Sequence, residues 1–196
     1  MYRYLVVFFI SITLYSCRPD TYVPKPRGYF GVSLPQHAYQ KFDLPGFPYS
    51  FDYPTYSTVV RDTLFFGQKA ENPYWVYINF PDLNGRIYIS YKQISPAQPF
   101  SKLMEDAHKL SYFHTKKADD IRESSPHMNP NNVTVVLYDV LGDAASTYQF
   151  VATDSFHHFI RGALYFDVSP NADSLKPAND FMRVDIERLL NTLKWK

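Results

Sequence analysis

The chain of 196 residues contains a single cysteine, Cys17, so no disulfide can form within it. Its seven glycines never gather into a phosphate-cradling loop, and neither G-x-G-x-x-G nor G-x-x-x-x-G-K-[ST] occurs. No H-E-x-x-H pair, acidic calcium loop or G-x-S-x-G elbow is present either. Excess charge of one sign is also missing. Twenty Lys and Arg against nineteen Asp and Glu leave a formal +1, which excludes the basic field that collects nucleic acid or an anionic bilayer. No motif for a cofactor or a metal is therefore on offer, and no catalytic residue is assigned.

What the chain has in quantity is aromatic: 17 Tyr and 16 Phe. Tyr buries a large ring and keeps a polar tip, so it suits half-wet strand faces and binding surfaces. The N-terminus has a different character. Arg3 precedes an apolar run from Tyr4 to Leu14, shorter than the ~20 residues that cross a bilayer and of the length of a signal-peptide core. Leu14-Tyr15-Ser16-Cys17 has the form of a lipobox. This predicts a lipoprotein signal over 1–17 and lipidation at Cys17. An extended, proline-rich tether over 18–28 and one domain over 29–196 would follow. Several acyl chains make such anchoring effectively permanent.

Along that domain, Arg27–Val32 reads as an edge strand, the stretch through Pro48 as an irregular clasp, and Tyr49–Tyr53 as a strand. Val59-Val60 and Leu64–Phe66 are short strand pieces. Trp75–Phe80 and Arg86–Lys92 alternate about Asn84-Gly85 as a hairpin, with Ile87, Ile89 and Tyr91 on its core face. Phe100, Leu103, Met104, Ala107, Leu110, His114, Ala118 and Ile121 recur at helical spacing, which predicts a helix over 100–123 capped by Ser101, as one piece or as two helices broken at HTKKAD. Residues 124–132 read as a loop. Strands follow over Val133–Val140, Ser146–Thr153 and His157–Phe166. A last helix is capped by Asp173-Ser174, with Pro177 in its first turn and an apolar stripe from Ala178 to Leu193. The order gives an α+β fold, an antiparallel sheet covered by helices.

The candidate site is a polar cluster in the last hairpin: Asp154, His157, His158 and Arg161. Alternation puts His157, Phe159, Arg161, Ala163 and Tyr165 on one face and His158, Ile160, Gly162, Leu164 and Phe166 on the other. A mid-strand guanidinium needs a carboxylate, a carbonyl or a ring face, and Tyr148 and Asp154 are the candidates. If Arg161 is a structural strut, Arg161→Ala costs on the order of 3–5 kcal/mol. Asp154, Ser155 and His157 lie too close along one hairpin to converge as a triad. His157 and His158 point to opposite faces, so with Asp154 or His114 they make a poor metal site.

PKPRGYF, INFPDLNGRIYISYK, HTKKADDI and ASTYQFVATDSFHHFIRGALYF with PNADSLKP resemble the gliding-motility lipoprotein GldD family of Bacteroidetes. The resemblance implies a lipid-anchored envelope protein needed for gliding and type IX secretion. Its partners would be other proteins of that machinery, and it would touch the membrane through the anchor alone. Arg18-Pro19-Asp20-Thr21 is a poor acidic export signal, which favours a periplasm-facing domain. By analogy, the element order suits the Mog1/PsbP type of α/β/α sandwich. Two other classes remain open on the residues: a carbohydrate- or lipid-binding module using an aromatic face, and a hydrolase centred on Asp154 and His157.

Overall fold

The clearest alternation in the sequence becomes a hairpin. Val76–Phe80 and Gly85–Gln93 pair antiparallel, with Ile78 opposite Ile87 and Val76 opposite Ile89. Between them Pro81–Leu83 forms one 3-10 turn, and Asn84 adopts the left-handed conformation (φ 47°) that asparagine tolerates. Gly85 has an ordinary φ. It is small because a Cβ there would lie 3.2 Å from the Phe166 ring.

The computed structural model describes Gly31 and residues 33–65, 68–113 and 118–196. The predicted signal and tether, and the strand expected over Arg27–Val32, fall outside the described residues, Gly31 apart. In chain order the elements are β1 (Tyr39–Phe42), β2 (Tyr49–Pro54), β3 (Thr58–Arg61), β4 (Leu64–Phe65), β5 (Gln68–Lys69), β6 (Val76–Phe80), β7 (Gly85–Gln93), α1 (Phe100–Tyr112), β8 (Ala118–Glu123), β9 (His127–Met128), β10 (Thr134–Gly142), β11 (Tyr148–Thr153), β12 (His158–Phe166), α2 (Ala172–Thr192) and β13 (Lys194–Trp195). The main sheet runs β3-β6-β7-β12-β11-β10-β8, with β9 also on β10; a small sheet runs β1-β2-β13, and β4 pairs with β5. Every pairing among the described residues is antiparallel.

The helices lie on opposite faces of the main sheet. One core joins Ile78, Ile87, Phe150, Ile160 and Leu164 to Met182, Ile186 and Leu189 of α2 and to Phe42, Tyr49 and Phe51 of the small sheet. A smaller core joins Val136, Tyr138, Val151 and Phe159 to Leu103 and Ala107 of α1. Burial of each large apolar side chain contributes about 1.5–3 kcal/mol, so the α2 side carries most of the stability. This is an α+β fold with its antiparallel sheet between two helical layers. Packing on the α2 side is tight at Gly162, where a Cβ would come within 2.0 Å of the ring of Phe150, its partner across β11 and β12.

Five expectations are corrected. The stretch before Pro48 is not wholly irregular, since Tyr39–Phe42 pairs with β2. The helix over 100–123 stops at Tyr112, and Ala118–Glu123 is a strand. The cause of the misreading is a bulge: Ile121 opposes Val140 and Ala118 opposes Gly142, with one extra residue, Asp119, between the pairs. Ala118 and Ile121 thus share a face three residues apart, a spacing that imitates a helix. Gly142 accepts the bulge at φ 91°, with no room for a Cβ beside the Asp119 backbone. Ser101 does not cap α1, which starts after Pro99 without a side-chain cap. On α2 the cap is Asn171, whose side chain accepts from the Ser174 N–H at 2.9 Å, and Pro177 lies inside the helix, beyond the first turn. At the other end, Asn129 Nδ2 donates to the carbonyls of Leu190 and Leu193, both at 2.8 Å. A buried asparagine just after β9, a short strand in the stretch expected to be a loop, thereby serves carbonyls that the helix leaves open.

Candidate functional site

Three of the four predicted site residues meet at the β11–β12 turn. Asp154 Oδ1 accepts from the backbone N–H groups of Phe156, His157 and His158 at 2.9, 2.8 and 2.9 Å, while Ser155 takes a left-handed φ of 68°. Burial alone would raise the Asp154 carboxyl, but these three donors outweigh it and hold the group below its ordinary range. His157 is exposed, with Nδ1 3.6 Å from Asp154 Oδ2. His158 turns the other way: its Nδ1 is hydrogen-bonded to the Tyr91 hydroxyl at 2.8 Å and its ring stacks on Trp195 at 4.9 Å. Asp154 is thus committed to shaping the turn, and the two imidazoles lie tilted beside each other with centroids 6.1 Å apart.

Arg161 does not join them. It lies on the α1 side of β12, opposite Val151, and neither Tyr148 nor Asp154 serves it. Its Nη2 donates to Gln149 Oε1, and the phenols of Tyr165 and Tyr138 lie near it as well. Ser111 of α1 donates to the same Gln149 oxygen at 3.2 Å, tying helix to sheet through buried groups. Burial pushes the Arg161 guanidinium down and Tyr165 partly restores it; guanidinium remains a cation throughout.

Beyond the reach of α1, this face of the sheet is lined by rings. Tyr77 and Tyr88 lie 5.7 Å apart and Tyr88 and Tyr165 5.9 Å apart, three half-buried tyrosines stepping across β6, β7 and β12. Arg86 covers Tyr77 at 6.0 Å and is held by Asp167 at 2.9 Å. Val60 on edge strand β3 sits opposite Tyr77 and is 38% exposed. Strand alternation already gave Tyr88 and Arg86 a half-wet face; the ladder across strands needed the register.

Sequence reasoning missed a second polar cluster. Asp185, 1% exposed in the middle of α2, accepts from the hydroxyls of Tyr39 at 3.0 Å and Tyr56 at 2.6 Å and pairs with His37 Nδ1 at 2.8 Å. The His37 ring stacks on Phe181 at 4.2 Å. Burial first, then the Asp185 charge, pushes the Tyr39 phenol up to about 12, and Tyr56 is raised further for the same kind of reason. Phenols held protonated make poor nucleophiles, so the cluster is a clasp fastening the entry of the domain to α2. The signal was present: Asp185 stands on the apolar stripe between Met182 and Leu189. Among the described residues, no three His, Cys, Asp or Glu side chains are placed to hold a metal ion, and no helix is long and apolar enough to cross a membrane.

The geometry defines an α+β domain with a partly exposed aromatic sheet face. The profile of the gliding motility lipoprotein GldD family matches residues 19–195, and the chain belongs to that family: it is a gliding motility lipoprotein, and so a lipid-anchored protein of the cell envelope. No curated protein matches it. Among solved structures it is similar to the cyanobacterial PsbP of Synechocystis sp. PCC 6803, at 10% identity and a TM-score of 0.48, over 86% of this chain and 98% of that one.

Proposed function

We propose that the protein is a periplasm-facing assembly factor of the gliding and type IX secretion apparatus, anchored through Cys17 and acting by protein–protein contact without catalysing a reaction. The observation that carries this reading is the tyrosine face. Val60, Tyr77, Tyr88 and Tyr165, with Arg86 among them, form an aromatic surface whose tyrosines are half-buried and half open to solvent. Aromatic residues and arginine are enriched where proteins dock, and apolar patches of this kind mark interaction sites. An enzyme of this size would gather titratable groups in a cleft; here the one buried carboxylate of the clasp is saturated by three donors.

The test is site-specific photocrosslinking in intact envelopes. A benzophenone side chain at position 88 is expected to yield adducts with proteins of the gliding and secretion machinery, and the same group at Glu187, on the exposed side of α2, is expected not to. Equal yields at both positions would reject the tyrosine face as the docking surface.

A further inference from the structure

Between α1 and the β7–β12 face lies a cavity of about 420 Å³. Leu103, Ala107 and Leu110 of α1 and Phe159 of β12 supply apolar walls, and Arg161 lines it with them. The two lysines on its border are already neutralised, Lys92 by Glu71 at 3.0 Å and Lys109 by Glu105 at 2.5 Å. Asp106, also on the border, is exposed. Arg161 is different. Its Nη2 is taken by the neutral Gln149 amide, its Nε is buried with no hydrogen-bond partner among the described residues, and the side chains that act on it, the phenols of Tyr165 and Tyr138, are neutral. A buried guanidinium without a counter-charge is costly unless something anionic completes it.

We propose that this cavity is a binding site for an apolar chain ending in a carboxylate, with Arg161 as the anchor and the α1 wall enclosing the chain. The guanidinium fork matches a planar carboxylate, and a single uncompensated charge fits a monoanion. The cavity has the volume of a small-molecule site and its mainly apolar lining. The inference stands whether or not the tyrosine face docks a protein.

The shared chemistry has two sources, a free acyl acid and the C-terminus of an apolar peptide. The experiment is nitrogen-15 NMR on the mature, non-acylated chain (Arg18–Lys196), following the Nε–H resonance of Arg161 while titrating decanoate, decanol, acetyl-Leu-Leu and its C-terminal amide. At least one of the acids is expected to shift that resonance and to bind about ten-fold or more tightly than its neutral counterpart. Decanoate alone points to an acyl ligand, and the dipeptide acid alone to a chain terminus. Arg161→Gln is expected to remove the preference for acids. Because that change touches the sheet, Leu110→Glu provides a second route: Leu110 is 52% exposed, so the variant should fold normally while its carboxylate at the cavity mouth weakens acid binding several-fold. Binding of acid and neutral forms with equal affinity, or of none of the four, would overturn the proposal.

Discussion

The two faces of β12 hold the same strand to opposite standards. On the α2 side Gly162 leaves no room for even a methyl group beside Phe150, and the buried charge nearest the centre of that layer, Asp185, has three donors. On the α1 side, one residue away, Arg161 borders a cavity, has only neutral partners and keeps one donor unused. A buried charge with every valence filled holds a structure together, and a filled core has no space for a ligand. A buried charge left incomplete beside a cavity is a cost that the fold itself does not recover. The α2 layer therefore reads as scaffold and the α1 layer as working surface.

The largest expected effect comes from breaking the scaffold charge. Asp185→Ala leaves two phenols and an imidazole without their shared acceptor and should cost about 3 kcal/mol, measured by urea unfolding. A loss below about 1 kcal/mol would show that the clasp contributes little and would erase the contrast between the faces. Gly162→Ala comes next. Its methyl group must displace the Phe150 ring or the strand, and overpacking of this kind costs about 1–3 kcal/mol; an unchanged melting temperature would mean that the ring moves freely and that the α2 layer is looser than its geometry implies.

Arg161→Met sharpens the comparison from the other side. A strut with a carboxylate partner would lose on the order of 3–5 kcal/mol when one member is removed. Arg161 has an amide and a phenol instead, and Ser111 still serves Gln149 in its absence. The change should therefore move stability by less than about 1 kcal/mol, in either direction. A loss near 3 kcal/mol would restore the strut.

Local pattern was legible wherever the two-residue or helical period ran undisturbed. The β6–β7 hairpin, the face assignment along β12 and the α2 stripe from Ala178 to Leu193 all follow from side-chain alternation, and the family was legible in the TDSFHHFIRGALYF region. Apart from the helix caps, the failures are non-local. The bulge at Asp119 turned a strand into an apparent helix. The partners of Arg161 depended on which residues of β11 and α1 face it, and register cannot be read from one strand. The Asp185 clasp joins residues 146 and 148 positions apart in the chain, so only the folded chain shows why an acid stands on an apolar stripe. Of the predicted polar cluster, Asp154, His157 and His158 do share one turn, as their spacing required, but that nearness serves the turn's backbone.

The smallest expected effect concerns His158, where the start of β12 meets the C-terminal strand. Burial is the main influence on its imidazole and lowers its proton affinity from an ordinary value of 6.5; Asp154 opposes this and His157 reinforces it. The folded state thus favours the neutral ring, consistent with its Tyr91 hydrogen bond and its stacking on Trp195. A group that gives up its proton more readily when folded contributes no penalty above the unfolded value, and stability falls as pH drops below about 6.5, because the unfolded chain takes up the proton first. The decline should level off once the folded ring is protonated too. Asp154, held low, adds its own loss only at more acid pH, below the ordinary carboxylate range near 3.8. Unfolding free energy measured between pH 7.5 and 5, a window chosen to span about one unit either side of the histidine range, should show a shallow decline in the parent. His158→Asn, which removes the titrating ring but keeps a polar side chain for Tyr91, should flatten it. An unchanged slope in that variant would assign the pH dependence to another group and leave His158 as a stacking residue alone.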